Sequence, residues 1–96
     1  MESDFIKYHP ESNTYVIEKK AFFEDDVSIK GSLITGPGVN FWKDLHVTGS
    51  LQLGKGSTVK GDAIADNALI GPYSRIDGRL EIKNNVKILD GVVAHS

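Results

Sequence analysis

The stretch "IGPYSRIDGRLEIKNNVKI", residues 70 to 88, carries an isoleucine at every sixth position: Ile70, Ile76, Ile82 and Ile88. A helix has no use for that period, because six steps of about 100° turn the side chain by roughly 240° and scatter the isoleucines over three directions. An unbroken strand has no use for it either, since the even positions between them include Pro72, Gly78 and Asn84 where apolar residues would be required. The chain must therefore break once in six residues. Two positions before each isoleucine stand Ala68, Ser74, Leu80 and Val86. The unit is a short strand with two inward side chains, followed by a three-residue corner.

The same unit runs back through the chain. Inward pairs fall at Tyr15/Ile17, Ala21/Phe23, Val27/Ile29, Leu33/Thr35, Val39/Phe41, Leu45/Val47, Leu51/Leu53, Ser57/Val59 and Ala63/Ala65. After one residue is dropped near Asp66 come Ala68/Ile70, Ser74/Ile76, Leu80/Ile82, Val86/Ile88 and Val92/Ala94. Of these 28 inward positions 25 are apolar, against 9 of the other 52 between residues 15 and 94, a contrast that chance spacing does not give. All 10 glycines, with Pro37 and Pro72, fall in corners, where permissive or pre-bent backbone is needed. Corner glycines also recur at 17 or 18 residues, as in Gly36, Gly54 and Gly71, so three hexads close one coil. The expected fold is all-β: a single-stranded, triangular parallel β-helix, or β-solenoid, of four to five coils of about 18 residues, stacked roughly 4.8 Å apart. The expected division is a tail or cap over residues 1–14 and a solenoid over residues 15–96. At the dropped residue, Ile64 competes with Ala65 for the inward place.

Composition narrows the function. Ninety-six residues are one domain, and a solenoid core grows coil by coil. With no cysteine there is neither a disulfide framework nor a thiolate site. A net charge of −2 without a run of Lys or Arg gives no attraction for nucleic acid. No stretch reaches the apolar length of a membrane span, and "MESDFIKYHPESN" lacks the basic region and long apolar run of a signal peptide. The expectation is a soluble, cytoplasmic chain. Its tail, with Phe5, Ile6 and Tyr8, is the segment able to cap the first coil or to reach a membrane or protein partner, although Glu2 and Asp4 oppose an acidic lipid surface.

Candidates for chemistry are few. His46 lies between inward Leu45 and Val47, so it faces solvent, stacked between Ser28 and Ile64, with no adjacent carboxylate to orient its ring. His9 and His95 lie near the ends of the chain, and no three ligands converge on a metal. Glu24, Asp25, Asp26, Asp62, Asp66 and Asp77 are corner residues of a kind turns ordinarily take. "GPG" at 36–38 and "GKGS" at 54–57 precede no helix that could hold a phosphate. No catalytic, metal or cofactor-binding residue is expected.

Outward residues say more. One face presents Val16, Ile34, Gln52, Leu69 and Lys87 in successive coils, and Trp42 and Tyr73 stand in corners beside another. An apolar stripe on a polar wall marks a contact surface. The last inward pairs, with Ile88 and Val92, leave the final coil open, and an open coil edge is a template for another chain. The candidate self-association residues are Val16, Ile34, Trp42, Leu69, Tyr73, Ile88 and Val92.

The segment "VTGSLQLGKGSTVKGDAIADNALIGPYSRIDGRLEI", residues 47–82, resembles the repeated core of the bactofilins, with its G-x-L-x-x-G, "VKGD", "AxAD" and "IG" turns. That resemblance, extending over about residues 27–94, implies a right-handed β-helix and a non-enzymatic, polymer-forming cytoskeletal scaffold, often at the membrane. Departures are a shorter core, no Pro-rich flanking tails and "GPGVNFWKD" at 36–44. "IGPYSRI" is also similar to the repeat of hexapeptide acyltransferases, whose left-handed helix implies a trimer with a catalytic histidine on an inserted loop. No loop is inserted between the hexads here. Six-residue sides suit either hand, and the bactofilin resemblance favours the right.

Overall fold

The structure, a computed structural model, describes residues 6–18, 21–88, 91 and 93–95. These residues form twelve strands and no helix: β1 (Ile6–His9), β2 (Thr14–Ile17), β3 (Phe22–Phe23), β4 (Val27–Ile29), β5 (Ser32–Thr35), β6 (Asn40–Phe41), β7 (Leu45–Val47), β8 (Ser50–Leu53), β9 (Thr58–Val59), β10 (Ala63–Ile70), β11 (Arg75–Ile88) and β12 (Val93–His95). Strands one coil apart pair in parallel, so the chain is a β-solenoid of about four turns of about 18 residues.

Three walls result. Face 1 stacks β2, β5, β8, the second half of β10 and the end of β11. Face 2 stacks β3, β6, β9, the start of β11 and β12. Face 3 stacks β4, β7, the first half of β10 and the middle of β11.

The hexad pairs are the core. Ile17, Ala21, Phe23, Ile29, Leu33, Val39, Phe41 and the pairs from Leu45 to Ile76 are buried at the expected inward positions. The three polar inward residues, Thr35, Ser57 and Ser74, are buried as well, at 3%, 0% and 1% exposure. Their hydroxyls explain how a core tolerates them, since a buried polar group must find a partner. Thr35 Oγ1 accepts the Gly54 amide at 2.9 Å, Ser57 Oγ donates to the Gly36 carbonyl at 3.2 Å, and Ser74 Oγ donates to the Gly54 carbonyl at 2.9 Å. Each hydroxyl ties a turn to the coil before or after it. Those turns also pass close together: a Cβ on Gly54 would collide with the backbone of Gly36.

At Asp66 the register changes as the dropped residue requires. Ala63 pairs with Leu45, 18 residues back, while Ala68 pairs with Leu51, 17 back, and the β10–β11 ladder slips between Ala65 and Asn67. Ala65 takes the inward place at 2% exposure and Ile64 stays on the outer wall, half-buried.

The two ends differ. β1 folds back antiparallel on the free edge of β2, joining Ile6 to Ile17 and Tyr8 to Tyr15 across the pair. Ile6 packs on the core, the Tyr8 and Tyr15 rings lie 4.5 Å apart, and Lys7 pairs with Glu18 on the outer side. The described tail residues, from Ile6 on, thus lie along the edge of face 1. Among the described residues β3 and β4 have no strand on their first-coil edges. In the last coil Leu80 and Ile82 are half-buried and Val86, an inward position by its place in the hexad, is 47% exposed.

Candidate functional site

Corners carry the side chains that the core does not claim. The corner between faces 2 and 3 is best defined. The backbone there steps from coil to coil through Trp42 N–H donating to the Phe23 carbonyl at 2.9 Å and Lys60 N–H to the Phe41 carbonyl at 2.8 Å. Continuing those ladders, Glu24, Trp42, Lys60 and Asp77 form one column along the solenoid edge. Trp42 is 48% exposed, and its neighbour on face 2, Phe22, is 46% exposed. The two rings meet edge-on at 4.6 Å, and the Lys60 ammonium lies 4.8 Å above the indole, within cation–π range. Two large aromatic side chains half in water, on a wall whose other members on face 2 include Asn40, Thr58 and Arg75, form a compact apolar ridge.

The same corner holds a second column with a different role. Asp26 Oδ1 accepts the Asp44 amide at 3.0 Å, Asp44 Oδ1 accepts the Asp62 amide at 2.8 Å, and Asp62 Oδ1 accepts the Arg79 amide at 2.8 Å. These aspartates stitch one coil to the next, as Asx side chains do in turns.

Tyr73 stands at another corner, 65% exposed, beneath Lys55 at 5.8 Å. It takes a left-handed backbone, φ 61°, in a column whose other members are Gly38, Gly56 and Gly91 at φ 71°, 68° and 74°. Only glycine adopts that region without cost, so the tyrosine is held there at a penalty of about 1–2 kcal/mol.

Face 1 brings its expected residues only partly together. Val16 and Ile34 are neighbours, but Gln52 separates them from Leu69, and all three apolar residues are half-buried. The stripe is a pair and a single residue. Ile88 ends β11, while Val92 lies outside the described residues. Trp42 and Tyr73 stand apart, each with its own lysine. Phe22 and Lys60 complete the Trp42 ridge, and sequence reasoning misses both. The coil arithmetic holds a signal for them, since Phe22 is an outward position and Lys60 lies one coil beyond Trp42.

His46 is exposed on face 3 between Ser28 and Ile64, as the hexad register requires. It borders a shallow depression that Tyr15, Lys30 and Thr48 also line. Among the described residues no group of three or more His, Cys, Asp or Glu gathers as a metal site, and no helix is long and apolar enough to cross a membrane.

Comparison with known proteins finds a distant relative. The chain is similar to the bifunctional protein GlmU of Marinobacter nauticus, 30% identical over 76 residues that make up 79% of this chain and 16% of that protein. The chain thus spans a small fraction of the relative's length. No family model matches the chain, and no solved structure gives a significant match.

Proposed function

We propose that this chain is a non-enzymatic, self-associating β-solenoid, a scaffold module of the kind its resemblance to the bactofilins implies. The observation that carries the reading is the half-exposed aromatic ridge of Phe22 and Trp42 beside the polar Asn40, Thr58 and Arg75 of face 2. An exposed apolar patch costs solubility unless a partner covers it, and a repetitive wall offers the same surface on every copy. Among the described residues β3 and β4 have no strand on their first-coil edges, and Val86 is 47% exposed. Such edges and uncovered apolar groups associate.

A second reading is favoured by the GlmU similarity, which fits the hexapeptide-repeat side of the sequence pattern. On that reading the chain is a trimeric acyltransferase-like module, and His46, with Tyr15 and Lys30 around its depression, is the residue to test.

Light scattering after gel filtration, with negative-stain microscopy of the same fractions, separates the two. Filaments, sheets or a concentration-dependent series of sizes support the scaffold. A single trimer at every concentration, binding an acyl donor and losing transfer with His46→Ala, supports the second. A monomer at all concentrations overturns both.

A further inference from the structure

In the corner between faces 2 and 3 the column Glu24, Trp42, Lys60 runs acid, aromatic, base along the solenoid axis, and its next member, Asp77, is held in an ion pair with Arg75. Glu24, Asp25 and Asp26 stand one coil before Trp42, and Lys60 stands one coil after it, all of them exposed. Coils repeat at roughly 4.8 Å, so the backbone of the acidic run and that of Lys60 lie one coil to either side of Trp42. Lys43, also exposed, shares the coil of Trp42. That order is its own complement. A two-fold axis perpendicular to the solenoid and passing through Trp42 reverses the sequence of charges, laying the acid of one copy against the base of the other. Asp26, Asp44 and Asp62 each tie one carboxylate oxygen to an amide of the next coil, which fixes those side chains along the stack while their charge remains.

From this order we propose that the Trp42 ridge is an isologous contact between two antiparallel copies of this chain, with Phe22 and Trp42 at its centre and Glu24–Lys60 pairs at its two rims. The contact deepens the self-association proposed above and rests on it. Two-fold closure suits a surface whose aromatic centre repels water while its flanks steer orientation. A parallel arrangement would set acid beside acid and base beside base.

The test is a charge-swap cycle on the full chain, read by sedimentation equilibrium across concentrations and by emission from Trp42, the chain's single tryptophan. For wild type, emission shifts to the blue as the dimer forms. Glu24→Lys and Lys60→Glu each raise the dimer dissociation constant by about tenfold or more, and the double substitution, which restores opposite charges across the axis, returns it to within about threefold of wild type. Trp42→Gln weakens the dimer without rescue. Circular dichroism keeps folding in view, and these exposed positions leave the core intact. A wild-type oligomer indifferent to all four variants overturns this interface while leaving self-association standing. A wild-type chain monomeric at every concentration overturns both, and failure of the double variant to recover what the single ones lose overturns the two-fold geometry.

Discussion

Leu51 and Val86 occupy the same position of the repeat on the same face, linked through Ala68 in one column of the parallel ladder. Leu51 is 1% exposed and Val86 47%. The hexad that encodes them is the same, so the difference comes from neighbours: Leu51 has a coil on either side, while among the described residues Val86 has a strand on one side only. In a solenoid, a side chain is core because of the coils beside it, and the repeat only points it inward. Stability should then fall from the middle coils to the last one, and function should draw on what the ends and corners leave exposed.

Substitution in the two coils sharpens that contrast most strongly. Leu51→Ala should cost about 2–5 kcal/mol in urea unfolding, whereas Val86→Ala should cost less than about 1 kcal/mol because half of that side chain is already in water. Equal costs would mean that the last coil is covered in solution. Amide hydrogen exchange should agree, with slow exchange at Leu51 and Leu53 and faster exchange from Leu80 onward. The corners give a smaller effect. Asp44→Ala removes the acceptor of the Asp62 amide and should cost about 1 kcal/mol, while Asp44→Asn, whose side-chain oxygen still accepts, should stay near wild type. If both variants lost the same amount, charge rather than the hydrogen bond would hold that column. Smallest is Tyr73→Gly. Relief of about 1–2 kcal/mol of left-handed strain is offset by about 0.5–1 kcal/mol of added chain entropy, so the melting temperature should rise slightly. A fall would show that the Tyr73 ring, which lies against Gly91, stabilises its corner by more than its backbone costs.

Much of the fold is legible in the amino-acid sequence. Inward pairs, corner glycines and the dropped residue near Asp66 follow from spacing alone, because a core wall needs apolar side chains at fixed intervals and a bend needs backbone freedom. The stacking of Ser28, His46 and Ile64 follows by counting. What counting does not supply is the grouping of exposed side chains. Val16, Ile34 and Leu69 share a column but are split by Gln52, while Phe22 and Trp42 lie 20 residues apart and touch. Outward side chains are free of the core's constraint, so their meeting depends on rotamer and corner geometry that a periodic pattern leaves open.

The hexad by itself determined the coil: six residues per side, three sides per turn, two side chains inward and glycine where the backbone bends. It did so because strand alternation and core exclusion of water act on every repeat alike. Only the tertiary structure decided that residues 6–9 turn back antiparallel along the first coil, that the Asp26, Asp44 and Asp62 carboxylates bond the next coil's amides, and that Phe22, Trp42 and Lys60 gather into one ridge. Those features join residues in different coils or reverse the chain direction, and their energies exist only once the stack has formed.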